Sequence, residues 1–181
     1  MRLLKHALIS IIVFSILLFL LSLLLSPRIS VSKSVLVSAS KENILAHLTD
    51  MRDWKNWNPM LQDRSITYSY PSASAVKWET ANSKTNAIEL KQYAPDSIFV
   101  NISTDNIPSF NSGFTVVSDA DIPAVVKVEW WINEELKWYP WEKFYGLFSE
   151  SLKETYLENT LESFKRYMES PAAPLRSPAV Q

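Results

Sequence analysis

His6 and His47 are the only imidazoles in this chain, and cysteine is absent. That narrows the chemistry at once. A hydroxyl nucleophile needs a general base beside it, but His6 stands at the edge of an apolar segment. His47 sits beside Leu48 in an amphipathic stretch, where a surface or boundary position is expected. Histidine and thiolate metal sites need ligands at set spacings, and one histidine among scattered carboxylates supplies none. Asp119 and Asp121 read as turn residues rather than as cation ligands. The two glycines exclude a glycine-rich phosphate loop and the nucleotide fingerprints built on one. A net charge of −1 leaves no basic footprint for nucleic acid. No catalytic residue, metal or cofactor is assigned.

The remaining titratable groups sort by strand parity. In 75–81, Val76 and Trp78 share one face while Lys77 and Glu79 take the other. In 86–92, Ile88 and Leu90 oppose Glu89 and Lys91. In 97–103, Ile98, Val100 and Ile102 oppose Asn101 and Ser103, with Phe99 an outward exception. In 125–132, Val126, Val128, Trp130 and Ile132 oppose Lys127 and Glu129. Successive side chains point to opposite faces of a sheet, so one face is charged and the other apolar or neutral. No Asp, Glu, Lys or His falls clearly on the apolar parity, and general acid–base work needs such a group.

The elements that would position these side chains follow from period and punctuation. Residues 29–38 alternate as a first strand, and Ser40 is placed to cap a helix carrying Ile44, Leu45, Leu48 and Met51. The stretch "DMRDWKNWNPM" then sets Trp54 and Trp57 in a short helix that Pro59 ends. Six strand-like runs follow, at roughly 64–70, 75–81, 86–94, 97–104, 111–119 and 124–133, with the spacing of an antiparallel meander. Pro140 opens a long helix whose apolar stripe is read as Phe144, Phe148, Leu152, Leu157, Leu161, Phe164 and Met168, with Gly146 a place where it can bend. A curved sheet wrapped on that helix satisfies the order.

Ahead of this domain, Ala7 to Ser26 is twenty residues without a charge, enough to span a bilayer at about 30 Å. It exceeds the apolar core of most cleaved signal peptides, so an uncleaved anchor is expected in residues 1–27. The basic residues on its two sides nearly balance. The short N-terminal tail then favours a domain outside the cytoplasm. The domain is bounded at 28–169, and the Pro/Ala/Ser-rich residues 170–181 are expected to be disordered.

Two blocks carry a family resemblance: "VSKSVLVSASKENILAHLTDMRDWKNWNP" (31–59) and "YPWEKFYGLFSESLKETYLENTLESFKRYME" (139–169). They resemble the START-like, or SRPBCC, superfamily of polyketide cyclase/dehydrase and lipid-transport proteins. The intervening strands match in number and spacing only. The resemblance implies an α+β helix-grip fold: about seven antiparallel strands around a long C-terminal helix, with an apolar cavity between them. Its candidate lining is Trp57, Tyr68, Tyr70, Trp78, Leu90, Gln92, Val100, Phe114 and Trp130. Tyr68, Tyr70 and Gln92 would orient a ligand, as polar groups do in apolar pockets; Ser112 and Ser118 are further inward hydroxyls. The expected partner is a hydrophobic small molecule or lipid, bound without chemistry by a membrane-anchored domain. A cyclase-like enzyme is one alternative. Another is a tethered interaction module with a filled core and Phe99, Trp131 or Trp138 as its contact surface.

Overall fold

The computed structural model describes residues 2–79, 85–104, 107–118, 125–171 and 173–175. Helix α1 (Arg2–Leu23) comes first. Within it, Leu4–Leu23 is the one helix among the described residues long and apolar enough to cross a membrane. Strand β1 (Arg28–Val37) follows, then α2 (Lys41–Thr49), α3 (Met51–Trp54) and a single 3-10 turn at Pro59–Leu61. The expected cap is present: the Ser40 side chain accepts the Asn43 N–H at 3.3 Å. Six strands complete the sheet: β2 (Tyr68–Ser72), β3 (Ala75–Glu79), β4 (Thr85–Ala94), β5 (Ser97–Thr104), β6 (Ile107–Ser118) and β7 (Val126–Glu135). Helix α4 (Pro140–Met168) closes the domain.

The sheet has seven antiparallel strands in the order β1-β7-β6-β5-β4-β3-β2. Only one pairing is non-local. β1 returns to the far edge of the meander and joins β7 in register from Arg28↔Glu135 to Val37↔Val126. This puts the end of α1, the start of β1, the end of β7 and the start of α4 at one pole. The parity reading holds: Val76, Ile88, Ile98, Val100, Ile102, Val128, Trp130 and Ile132 are buried on the inner face. Phe99 remains outside for a visible reason. Gly113 pairs with Phe99 on one side and Trp131 on the other, and the Trp131 ring lies where a Gly113 side chain would go. The two rings meet edge-on at 5.7 Å and cover the glycine.

Several strand boundaries and one stripe differ from expectation. β2 begins at Tyr68 rather than 64, because Asp63 to Ser65 form a turn in which Asp63 Oδ1 accepts the Ser65 N–H and hydroxyl. β6 begins at Ile107 rather than 111, drawn out by its pairing with Thr104. In α4 the core side is Gly146, Ser149, Leu157, Thr160, Leu161, Phe164 and Met168, whereas Phe148 and Leu152 are 72% and 69% exposed. Phe144 is half-buried. The step of five from Leu152 to Leu157 turns the helix by about 140°, so the two groups cannot share a face. At the expected bend, Gly146 instead admits a close approach: a Cβ there would stand 2.6 Å from Leu136 Cδ1.

Candidate functional site

The tryptophan pair after α2 forms the centre of the interior. Trp54 and Trp57 are fully buried, 5.0 Å apart, and both meet Phe114 edge-on. Phe114 stacks on Trp130 at 4.8 Å, and Trp57 meets Phe164 of α4 at 4.9 Å. Rings from α3, β6, β7 and α4 therefore occupy the space between sheet and helix. The indole of Trp54 donates to the Leu48 carbonyl at 3.0 Å, which locks α3 to α2. That of Trp130 donates to Ser112 Oγ at 2.6 Å, and Ser112 Oγ donates in turn to the Trp131 carbonyl.

The expected lining residues thus divide into two groups. Trp57, Phe114 and Trp130 belong to this ring cluster, while Trp78 and Val100 are buried in the same apolar core. Tyr68, Tyr70 and Leu90 are half-buried against its edge. Tyr68 packs on Trp78 at 5.9 Å and donates its hydroxyl to the Met60 carbonyl. The side chain of Gln92 lies outside the described residues. Ser118 is exposed, and Asp119 and Asp121 lie outside the described residues.

A polar hub sits within this apolar interior. Asn58 is 1% exposed, and its Oδ1 accepts both the Met60 N–H and the Tyr156 hydroxyl, each at 3.0 Å. Its Nδ2 is sealed from solvent and meets no acceptor among the described residues, and the same holds for Trp57 Nε1. Buried donors are nearly always paired, so each such group calls for an explanation. Burial pushes the Tyr156 phenol up to about 12, with its hydrogen bond to Asn58 pulling the other way.

Three buried titratable groups, Glu134, His47 and Asp53, are not apparent from the sequence pattern. Glu134 stands on the inner face, where it pairs with Lys153 of α4. It continues the parity of Val126 to Ile132, two residues past the segment over which the alternation was read. Lys153 Nζ also lies over the Phe110 ring, 5.8 Å from its centroid. His47 is fully buried, against the expected surface position. Its Nδ1 meets Asp53 Oδ2 and its Nε2 meets the Pro174 carbonyl, both at 2.9 Å, while Tyr167 covers the ring edge-on. A surface reading failed because α2 is buried along six of its nine residues, His47 included. The only sequence signal was Asp53, six positions on.

Neither pair presents a free acid or base to a ligand. Glu134 is held by Lys153, and both nitrogens of His47 face partners within the chain. Among the described residues no group of three His, Cys, Asp or Glu is placed to hold a metal ion. At the pole where α1 ends, an open groove of about 600 Å³ lies between Ile29, Phe110, Asn133 and Glu134.

A seven-stranded antiparallel sheet gripping a long C-terminal helix is the START-like helix-grip fold, and solved structures agree. A START superfamily protein from Mycobacterium smegmatis superposes with a TM-score of 0.59 at 20% identity, over 78% of this chain and 97% of that one. The protein XoxI from Bacillus cereus gives 0.56 at 12% identity, over 77% and 95%. The di-domain ARO/CYC StfQ of the steffimycin biosynthetic pathway gives 0.57 at 8% identity, over 78% of this chain and 51% of that one. No family model and no curated protein sequence matches the chain.

Proposed function

We propose that this chain is a bilayer-anchored helix-grip domain that binds an apolar or amphipathic molecule beneath α4, without catalysing a reaction. The observation that carries the reading is the hub at Asn58. Apolar binding sites use a few well-placed polar groups to orient a ligand, and Asn58 Nδ2 and Trp57 Nε1 are buried donors that find no acceptor among the described residues. They suit a ligand with a carbonyl, hydroxyl or carboxylate oxygen at one end and an apolar body. The START superfamily and ARO/CYC neighbours favour binding between sheet and helix. Helix α1, apolar over Leu4–Leu23, would hold the domain beside a supply of such molecules.

One observation favours a second reading. The rings of Trp54, Trp57, Phe114, Trp130 and Phe164 already pack on one another beneath α4, as in a tethered module with a filled core. Native mass spectrometry of the full chain, released gently from membranes, separates the two. The binding reading expects a reproducible adduct of lipid-like mass that Asn58→Asp, which replaces the donor with an acceptor, reduces. A bare protein whose melting temperature is unmoved by oleic acid and by a long-chain alcohol would refute it and leave the filled core.

A further inference from the structure

The segment entering α4 and the first turns of that helix carry aromatic residues that the core does not use. Trp138 and Trp141 are 68% and 67% exposed, and Tyr145 and Phe148 are also exposed. From Trp141, the positions i, i+4 and i+7 fall on one narrow strip of a helix, and Leu152 at i+11 extends it. This strip lies opposite the side that packs on the sheet. The rings of Trp138, Tyr139 and Trp141 are in series, with Tyr139 stacked parallel on Trp141 at 5.0 Å. Exposed apolar strips of this kind mark contact surfaces, and the geometry here says what covers this one.

Gly146 lies against Ile29 and Leu136, at the end of the sheet. The six residues that precede it in α4 therefore run about 9 Å past that end. They run toward α1: Lys143 Nζ donates to the carbonyl of Ser22 at 3.2 Å, and Ser22 is itself buried in the last turn of the apolar helix. If α1 spans the bilayer, Ser22 marks the edge of the hydrocarbon. Trp138, Trp141 and Tyr145 then stand at the depth where tryptophan and tyrosine collect at membrane–water interfaces.

We infer that Trp138, Trp141, Tyr145 and Phe148 form a collar that inserts into the interfacial layer of the same bilayer α1 crosses. The domain is thereby held with its α1 pole, and the groove at Ile29 and Phe110, against the lipid. The inference rests on the spanning role of α1, and the test separates the two. Because the chain has no cysteine, single nitroxide labels can be placed in the full chain by Leu17→Cys, Trp141→Cys, Phe148→Cys and Ser69→Cys. Each labelled chain is reconstituted in phosphatidylcholine/phosphatidylglycerol nanodiscs and its accessibility to oxygen and to a water-soluble nickel complex measured. The collar requires oxygen to dominate at Leu17, Trp141 and Phe148, and nickel at Ser69. Nickel dominance at Trp141 and Phe148 with oxygen dominance at Leu17 would overturn the collar and leave the anchor intact. Nickel dominance at Leu17 as well would overturn both.

Discussion

Removing the Asp53 carboxylate from beneath His47 should be among the most damaging single changes in the domain. His47 is 0% and Asp53 5% exposed, and the 2.9 Å contact between Nδ1 and Oδ2 joins α2 to α3. A hydrogen bond to a charged group contributes about 1.5–3 kcal/mol. Breaking a buried pair by deleting one partner costs about 3–5 kcal/mol, because the other is left without compensation. Asp53→Ala should therefore lose about 3–4 kcal/mol out of a total of about 5–15 kcal/mol for a domain of ordinary stability. Asp53→Asn keeps an oxygen for Nδ1–H and should lose only about 1–2 kcal/mol. The double variant His47→Ala/Asp53→Ala should cost less than the two single losses added, since neither group remains to be desolvated alone. Urea unfolding of the full chain in nanodiscs, followed by the fluorescence of the buried tryptophans, reads all four. At a slope of about 2 kcal/mol per molar, Asp53→Ala should lower the midpoint by about 1.5–2 M. A loss under about 0.5 kcal/mol, or equal losses for Asn and Ala, would refute the reading of a buried hydrogen-bonded pair that joins the two helices.

Three shorter predictions follow from other sites. Tyr156 should make stability fall at high pH: its folded pKa of about 12 lies above the ordinary value of 10.0, so the unfolded chain loses its proton first as pH rises. The stability is complete below pH 10 and declines by roughly 2–3 kcal/mol towards pH 12; Tyr156→Phe should remove that component from denaturation curves taken across this range. Gly113→Ala should destabilise the sheet, because its Cβ would stand 2.5 Å from the Trp131 ring and 2.7 Å from the Ile98 carbonyl. The loss should be about 1–3 kcal/mol by chemical denaturation, and Trp131→Ala should relieve part of it. On the membrane, Ser69→Cys should react with an impermeant maleimide in intact cells if the domain lies outside the cytoplasm; labelling only after lysis would reverse that orientation.

Much of the fold was legible because two periods are clear. Alternation placed Val76, Ile88, Ile98, Val128 and Trp130 on the inner face, and each is buried there. It stops short of Glu134, because β7 runs on to Glu135, past the alternating segment 125–132. Helical period was less safe. The stripe through Leu152 and Leu157 joined two faces of α4, and the gap of five was visible in the sequence itself. His47 was a different kind of miss. Its burial depends on Asp53 from α3, Tyr167 from α4 and the Pro174 carbonyl, contacts that no local period records. The hub at Asn58 was hidden for the same reason, since Tyr156 reaches it from 98 residues away.

The two faces of α4 assign its two halves different work. From Leu157 to Met168 it carries apolar side chains into the sheet, with Phe164 against Trp57. From Pro140 to Phe148 it carries aromatic residues outward beside the end of α1, and Lys143 ties it there. Between them the helix is continuous, and the pair of buried Glu134 with half-buried Lys153 fixes its middle to β7. A shift of α4 at the pole of α1 would move Tyr156 relative to Asn58, because Trp141 and Tyr156 lie on the same helix. A ligand at Asn58 Nδ2 and a bilayer holding Trp141 would then both bear on α4, one through Tyr156 near its middle and the other at its start. If that is so, Trp138→Ser/Trp141→Ser should weaken retention of a bound amphipathic molecule although neither ring contacts the hub. Equal retention in the double variant, measured by native mass spectrometry, would mean that the collar only positions the domain.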